Sequence, residues 1–193
     1  MSDSSDTSWY RGEWLKCTGK TAVTLTAEQF EAHWQQIFAL AYIDLTWQVS
    51  IANARLVCKD GYASAWSLGD YGLAYERTRL VREHPDFSDF IASSHLKLLS
   101  VLRDEASALL AMDDLDRGIE KCREILGSGS DQRGSRNIVF SVIQKSVTGR
   151  EEALVPKKLV EFVCESITPI GVRAMPYSHL LDDLTVALEL KGG

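Results

Sequence analysis

Apolar residues recur along this chain at three- and four-residue steps, the spacing that lays one stripe along a helix. Phe30, Trp34, Ile37, Phe38, Ala41 and Leu45 form the first stripe, and Thr26 followed three residues later by Gln29 is a capping-box start for it. Phe87, Ile91, Leu98, Leu102, Ala106 and Leu109 form a second stripe, which predicts one helix capped by Asp86 with Asp89 in its first turn. "DDLDRGIEKCREIL" predicts a third helix, closed by Gly127 in the left-handed conformation. Further on, Pro156 opens a helix over "KKLVEFVCESI", and "YSHLLDDLTVALEL" reads as a final amphipathic helix.

Other stretches are less decided. "EWLKCTGKTAVTLT" reads as a short β-hairpin, with Trp14–Cys17 and Thr21–Leu25 flanking a Thr-Gly-Lys turn. Residues 43–66 are either a buried helix or strands turning at Asp60-Gly61; helix is favoured because Ala52, Asn53 and Ala54 break the alternation of a half-buried strand. "NIVFSVIQKSV" fits helix and strand equally. The expected organisation is a flexible tail over 1–11, a helical domain over 12–127, a Gly/Ser linker over 128–136 and a C-terminal helical segment over 137–193. The fold class is mainly α, an antiparallel bundle or short helical array with a small N-terminal hairpin.

Within residues 67–127, "LGDYGLAYERTRLVREHP" and "AMDDLDRGIEKCREILGS" share an acidic turn and a small residue, Ala74 or Gly118. Residues four and seven positions later also match: Thr78 and Val81 in one, Cys122 and Ile125 in the other. This resembles the second helix of a tetratricopeptide repeat, where a small side chain lets paired helices approach. The two small residues are 44 apart (118 minus 74), against ~34 in that family. The resemblance implies stacked helical hairpins whose groove takes peptides or partner proteins.

Charge then narrows the partners. A net charge of −6 over 193 residues disfavours free nucleic acid, whose backbone calls for clustered Lys and Arg. No apolar run is long enough for a membrane span, and "MSDSSDTSWYRGEW" has no secretory pattern, so a cytoplasmic protein is expected. Cys17, Cys58, Cys122 and Cys164 lack zinc-site spacing and are expected to be reduced and mostly buried.

Asp113, Gly118 and Glu124 fall at the first, sixth and twelfth places of a calcium loop, but Leu115 and Arg117 stand where oxygen ligands are required. None of His33, His84, His95 and His179 belongs to a metal motif, and His95 reads as a core histidine between Ile91 and Leu98. "GSGSDQRGSR" lacks the Lys-Ser/Thr ending of a phosphate-binding loop, and the ubiquitin-like ending "LELKGG" follows helical sequence. No cofactor or metal is expected. Trp34 and Trp66 are expected in the core; Trp9 and Trp14, beside a polar tail, suit interface anchors, with core packing the favoured fate for most of the five tryptophans.

The first expectation is therefore a non-enzymatic interaction protein, such as an adaptor, assembly chaperone, immunity protein or inhibitor. Its candidate contacts are Asp104, Glu105, Asp113, Asp114 and Asp116, facing a basic partner, together with Arg133 and Arg136. The alternatives are an enzyme with a site assembled from dispersed residues such as His95, Asp104 and His179, or an acidic subunit of a nucleoprotein complex whose basic face is Arg133, Arg136, Lys145 and Arg150.

Overall fold

The computed structural model describes residues 10, 12–16, 19–20, 25–43, 46–47, 49–128, 132–147 and 156–166. It is mainly α-helical. A short helix, α1, covers residues 12–16, followed by α2 (Ala27–Ala41), a strand pair β1 (Tyr42–Ile43) and β2 (Thr46–Trp47), α3 (Ile51–Ser67), α4 (Tyr71–Leu80), a 3-10 turn (Val81–Glu83) and α5 (Phe87–Ala92). Then come α6 (His95–Ala111), α7 (Leu115–Gly127), α8 (Gln132–Val147) and α9 (Lys157–Ser166). The strands are antiparallel, with Tyr42 opposite Trp47 and Ile43 opposite Thr46.

Two compact units divide within α6, Met1–Val101 and Leu102–Gly193. In the first, α3 packs against both α2 and α4. The capping box forms as expected: the Gln29 backbone N–H donates to Thr26 Oγ1 at 3.3 Å, and the Thr26 N–H donates to Gln29 Oε1 at 3.2 Å. The stripe it launches buries Phe30, Trp34 and Ile37 against Tyr10, Trp14 and Val57. Trp14 stacks on Phe30 at 4.3 Å between ring centroids, and Trp34 on Phe38 at 5.5 Å. A second cluster joins Ala54, Cys58, Val81 and Val101.

The second unit packs α7 against α8 and α9. Its buried residues include Leu102, Ala106 and Leu109 on α6, Ile119, Cys122 and Ile125 on α7, Val139 and Ile143 on α8, and Leu159 and Val163 on α9.

Two helical hairpins close with the same backbone device. At the end of α3, the Gly69 N–H donates to the Trp66 carbonyl and the Asp70 N–H to that of Ala65, with Gly69 at φ 75°. At the end of α6, the Asp113 N–H donates to Leu110 and the Asp114 N–H to Leu109, with Asp113 at φ 62°. Both are Schellman closures, in which a left-handed residue lets two N–H groups satisfy the last carbonyls. Asp70 and Asp114 then cap the next helices, accepting from the N–H groups of Leu73 and Arg117. The paired positions of the sequence pattern, Ala74 and Gly118, Thr78 and Cys122, Val81 and Ile125, are all buried.

Several expectations are corrected. Trp14–Lys16, the expected first hairpin arm, is helical, because Trp14 enters the core from α1; Thr21–Thr24 of the other arm lie outside the described residues. Tyr10, placed in the flexible tail, is buried with its ring edge-on to Trp14. Asp60-Gly61 is not a turn but the interior of α3, where the absence of a Cβ on Gly61 lets Trp34 close in. The long helix predicted from Phe87 breaks at Ser93–Ser94, where the Ser93 hydroxyl donates to the Phe90 carbonyl at 2.7 Å, a side-chain bond that competes with continuation. Gly127 is the last residue of α7 rather than a left-handed stop, and the Ser128 hydroxyl closes the end on Ile125. Helix α8 takes in residues 132–136 of the expected linker, and "NIVFSVIQKSV" is helical. The whole of the predicted final helix, residues 177–190, and the chain end lie outside the described residues.

Candidate functional site

A buried ion pair ties three helices of the first unit together. Glu31 on α2 and Arg77 on α4 form a two-pronged ion pair, Arg77 Nη2 donating to Oε2 at 2.6 Å and Nη1 to Oε1. Arg77 Nη1 also donates to the Gly61 carbonyl on α3 at 3.0 Å, the Ser64 hydroxyl donates to Glu31 Oε1 at 2.6 Å, and the guanidinium lies 4.1 Å over the Trp34 ring. Three helices thus meet on one cation whose side chain is 3% exposed. Burial alone raises the Glu31 carboxyl; hydrogen bonds from Arg77 and Ser64 and the guanidinium charge outweigh it and hold the group below its ordinary range. This arrangement clamps helices, and its opposite charges pair with each other, while the buried Arg77 Nε has no hydrogen-bond partner among the described residues.

The buried thiols have little reactivity. Burial pushes both Cys58 and Cys122 up to about 12, so at neutral pH they carry essentially no thiolate, the nucleophilic and metal-binding form. Among the described residues, no group of three His, Cys, Asp or Glu side chains is placed to hold a metal ion.

The contacts chosen from sequence fare differently from one another. Glu105 is 1% exposed and Asp104 is buried beside Arg103, which donates to it at 3.0 Å, so neither presents a free acidic face. Apolar residues flanking them on α6 carry both inward, which charge pattern alone does not reveal. Asp114 is spent on its cap and on an ion pair with Arg117 at 3.0 Å, and Asp116 pairs with Lys158 of α9. Asp113 is exposed but holds the left-handed turn. Arg133 is exposed and Arg136 half-buried on α8; Lys145, nine residues beyond Arg136, lies about half a turn round the helix at roughly 100° per residue, so these three cations do not line one face. Arg150 lies outside the described residues.

The residues of the enzymatic alternative have separate outcomes. His95, expected in the core, is exposed as the first residue of α6, because the helix break removes it from the stripe. Asp104 is buried in the other unit, and His179 lies outside the described residues. Trp14 takes the core alternative rather than the anchor one, being fully buried; Trp9 lies outside the described residues.

One surface was not anticipated. Helix α5 has no buried residue, although it carries Phe87, Phe90 and Ile91. Phe87 packs on the second cluster, while Phe90 and Ile91 are half-exposed and Leu96 is 72% exposed at the start of α6. Lys97 Nζ sits 4.6 Å over the Phe90 ring. The sequence signal that could have found this corner is the Ser93-Ser94 pair, which splits the apolar stripe and separates its front end from the rest.

The fold and these sites define a mainly α-helical protein of two compact units in which no helix among the described residues is long and apolar enough to cross a membrane. No protein-family model, curated protein or solved structure matches the chain.

Proposed function

We propose that this chain is a protein-interaction module of the adaptor or inhibitor kind, working in the cytoplasm and docking through the corner formed by α5 and the start of α6. The observation that carries this reading is the half-exposed pair Phe90 and Ile91 on a helix that buries none of its residues, with Leu96 exposed at the start of α6. Apolar side chains left in water favour association, since covering them recovers roughly 25 cal/mol per Å². The commitment of Arg77, Glu31 and Asp114 to the fold supports a scaffold. The free thiols of Cys58 and Cys122 suit a reducing compartment. The tetratricopeptide-like pattern points the same way, toward helices that bind other proteins.

The test is site-specific. A photo-crosslinking amino acid replaces Leu96 in one protein and Glu120, on the outer face of α7, in another; both are irradiated in extract of the native host. The expected result is one protein captured from position 96 and not from position 120, with capture lost in an F90D variant that keeps its helical circular-dichroism spectrum. Equal capture from both positions, or capture unaffected by F90D, overturns the reading.

A further inference from the structure

Between the 3-10 turn and α5 lies a buried histidine whose proton position is dictated by the backbone. His84 Nε2 is 2.9 Å from the Val49 carbonyl oxygen, and Nδ1 is 3.1 Å from the Asp86 backbone nitrogen. A carbonyl can only accept and an N–H can only donate, so Nε2 carries the proton and Nδ1 accepts. The ring is therefore neutral in this arrangement. The same turn is closed by the Phe87 N–H donating to the His84 carbonyl at 3.0 Å, with Pro85 between them.

We infer that His84 is a proton-operated latch on the entry to α5: charging the ring breaks its bond from the Asp86 N–H and transfers Nδ1 to the Asp86 carboxylate. An imidazolium has two N–H donors and no acceptor. Its Nε2–H keeps the Val49 carbonyl, but its new Nδ1–H points at another donor. The Asp86 carboxylate lies 4.0 Å from Nδ1, and it makes no side-chain cap bond to α5 that must first be given up. Closing that distance moves residues 85–87, and with them Phe87, the residue of α5 that packs on the core. Ionisable groups on the elements around this turn are Arg55, Cys58, Lys59, Asp60 and Tyr62 on α3, Tyr71, Tyr75, Glu76, Arg77 and Arg79 on α4, Arg82 and Glu83 on the 3-10 turn, Asp86 and Asp89 about α5, and His95 and Lys97 at the start of α6; Arg79 lies 3.8 Å from Glu83. A helix with no buried residue is the part of the unit with least to resist such a change. The inference concerns the order of α5 and stands whether or not α5 docks on a partner.

Nuclear magnetic resonance on the full chain tests it. Nitrogen shifts of the His84 ring at pH 8 are expected to show the Nε2–H form; the Nδ1–H form would overturn the inference at once. As the pH is lowered from 8, the Asp86 amide is expected to lose its hydrogen-bonded shift and the Phe87 ring signals to move with the same midpoint as the His84 ring nitrogens. In H84N the side-chain oxygen stands near the place of Nδ1 and does not titrate, so the Asp86 amide is expected to stay bonded throughout. In D86N the low-pH partner is weakened, and the amides of α5 are expected to exchange faster at pH 5 than in the wild type. An Asp86 amide unmoved by pH in the wild type, or moving equally in H84N, overturns the latch; if H84N does not fold, the ring-nitrogen spectrum and D86N still decide.

Discussion

The Trp34 indole packs so closely on Gly61 that a Cβ at position 61 would lie 2.6 Å from Cη2 of the ring, with Arg77 Cδ at 2.9 Å on another side. The ring has little room to withdraw, being stacked on Phe38 and covered by the Arg77 guanidinium. Gly61→Ala is expected to destabilise the first unit, because overpacking costs roughly 1–3 kcal/mol and here outweighs the roughly 1 kcal/mol that Ala gains over Gly in a helix. Gly127→Ala, facing open space at the end of α7, is the control expected to be neutral or mildly stabilising. Urea midpoints of the two variants check the pair.

Gly118 plays the corresponding part in the second unit, where a Cβ would meet Leu110 Cγ at 2.8 Å. Gly118→Ala alone is expected to lower stability, and Leu110→Ala alone to cost roughly 2–5 kcal/mol. Combined, they should cost less than their sum by about 1 kcal/mol, since shortening Leu110 makes room for the new methyl group. A double-mutant cycle in denaturant reads this coupling directly, and strict additivity would refute the contact.

The two Schellman turns offer a reciprocal exchange. Asp113 sits at φ 62° where its counterpart in the other hairpin is Gly69 at φ 75°. A left-handed residue with a side chain costs roughly 1 kcal/mol more than glycine. Asp113→Gly is expected to raise the melting temperature, and Gly69→Ala to lower it, by a few degrees each. Opposite shifts in the two variants are the signature to look for in calorimetry.

Acid should loosen the clamp between α2 and α4. The Glu31 carboxyl is held below its ordinary range, so its contribution is fully present above the unfolded value, about pH 4.3, and is lost as the pH falls through the lower folded value. Glu31→Gln is expected to lower stability at pH 7, where Arg77 loses its charged partner, by roughly 3 kcal/mol, the lower end for a buried pair since Glu31 is partly exposed. Its stability should also fall less steeply than that of the wild type below about pH 4.3. Parallel pH profiles for the two proteins would remove Glu31 from the account.

Thiol labelling separates buried from accessible cysteines. With both groups pushed up to about 12 by burial, Cys58 and Cys122 are expected to resist N-ethylmaleimide at pH 7 in the folded protein and to react once it is denatured. Peptide mapping after native and denatured labelling gives the answer residue by residue.

Where the governing signal was local, the chain was legible. Thr26 and Gln29 cap each other because their spacing brings side chain to backbone with no help from elsewhere. Asp70 and Asp114, each following a left-handed turn, start α4 and α7 for the same reason. The candidate contacts were less legible, since Asp104 and Glu105 were chosen by charge alone and the structure buries both.

Residue order along the chain by itself determined that this protein is built of helices, and where many of them begin, because periodicity, caps and turn residues act within a few positions of one another. Tertiary structure alone decided that Arg77 is buried against the face of Trp34 and that Gly61 packs under that ring inside a helix. Those outcomes depend on partners as far apart as Glu31 and Arg77, 46 positions along the chain, and no local rule says which side chains will meet across that distance.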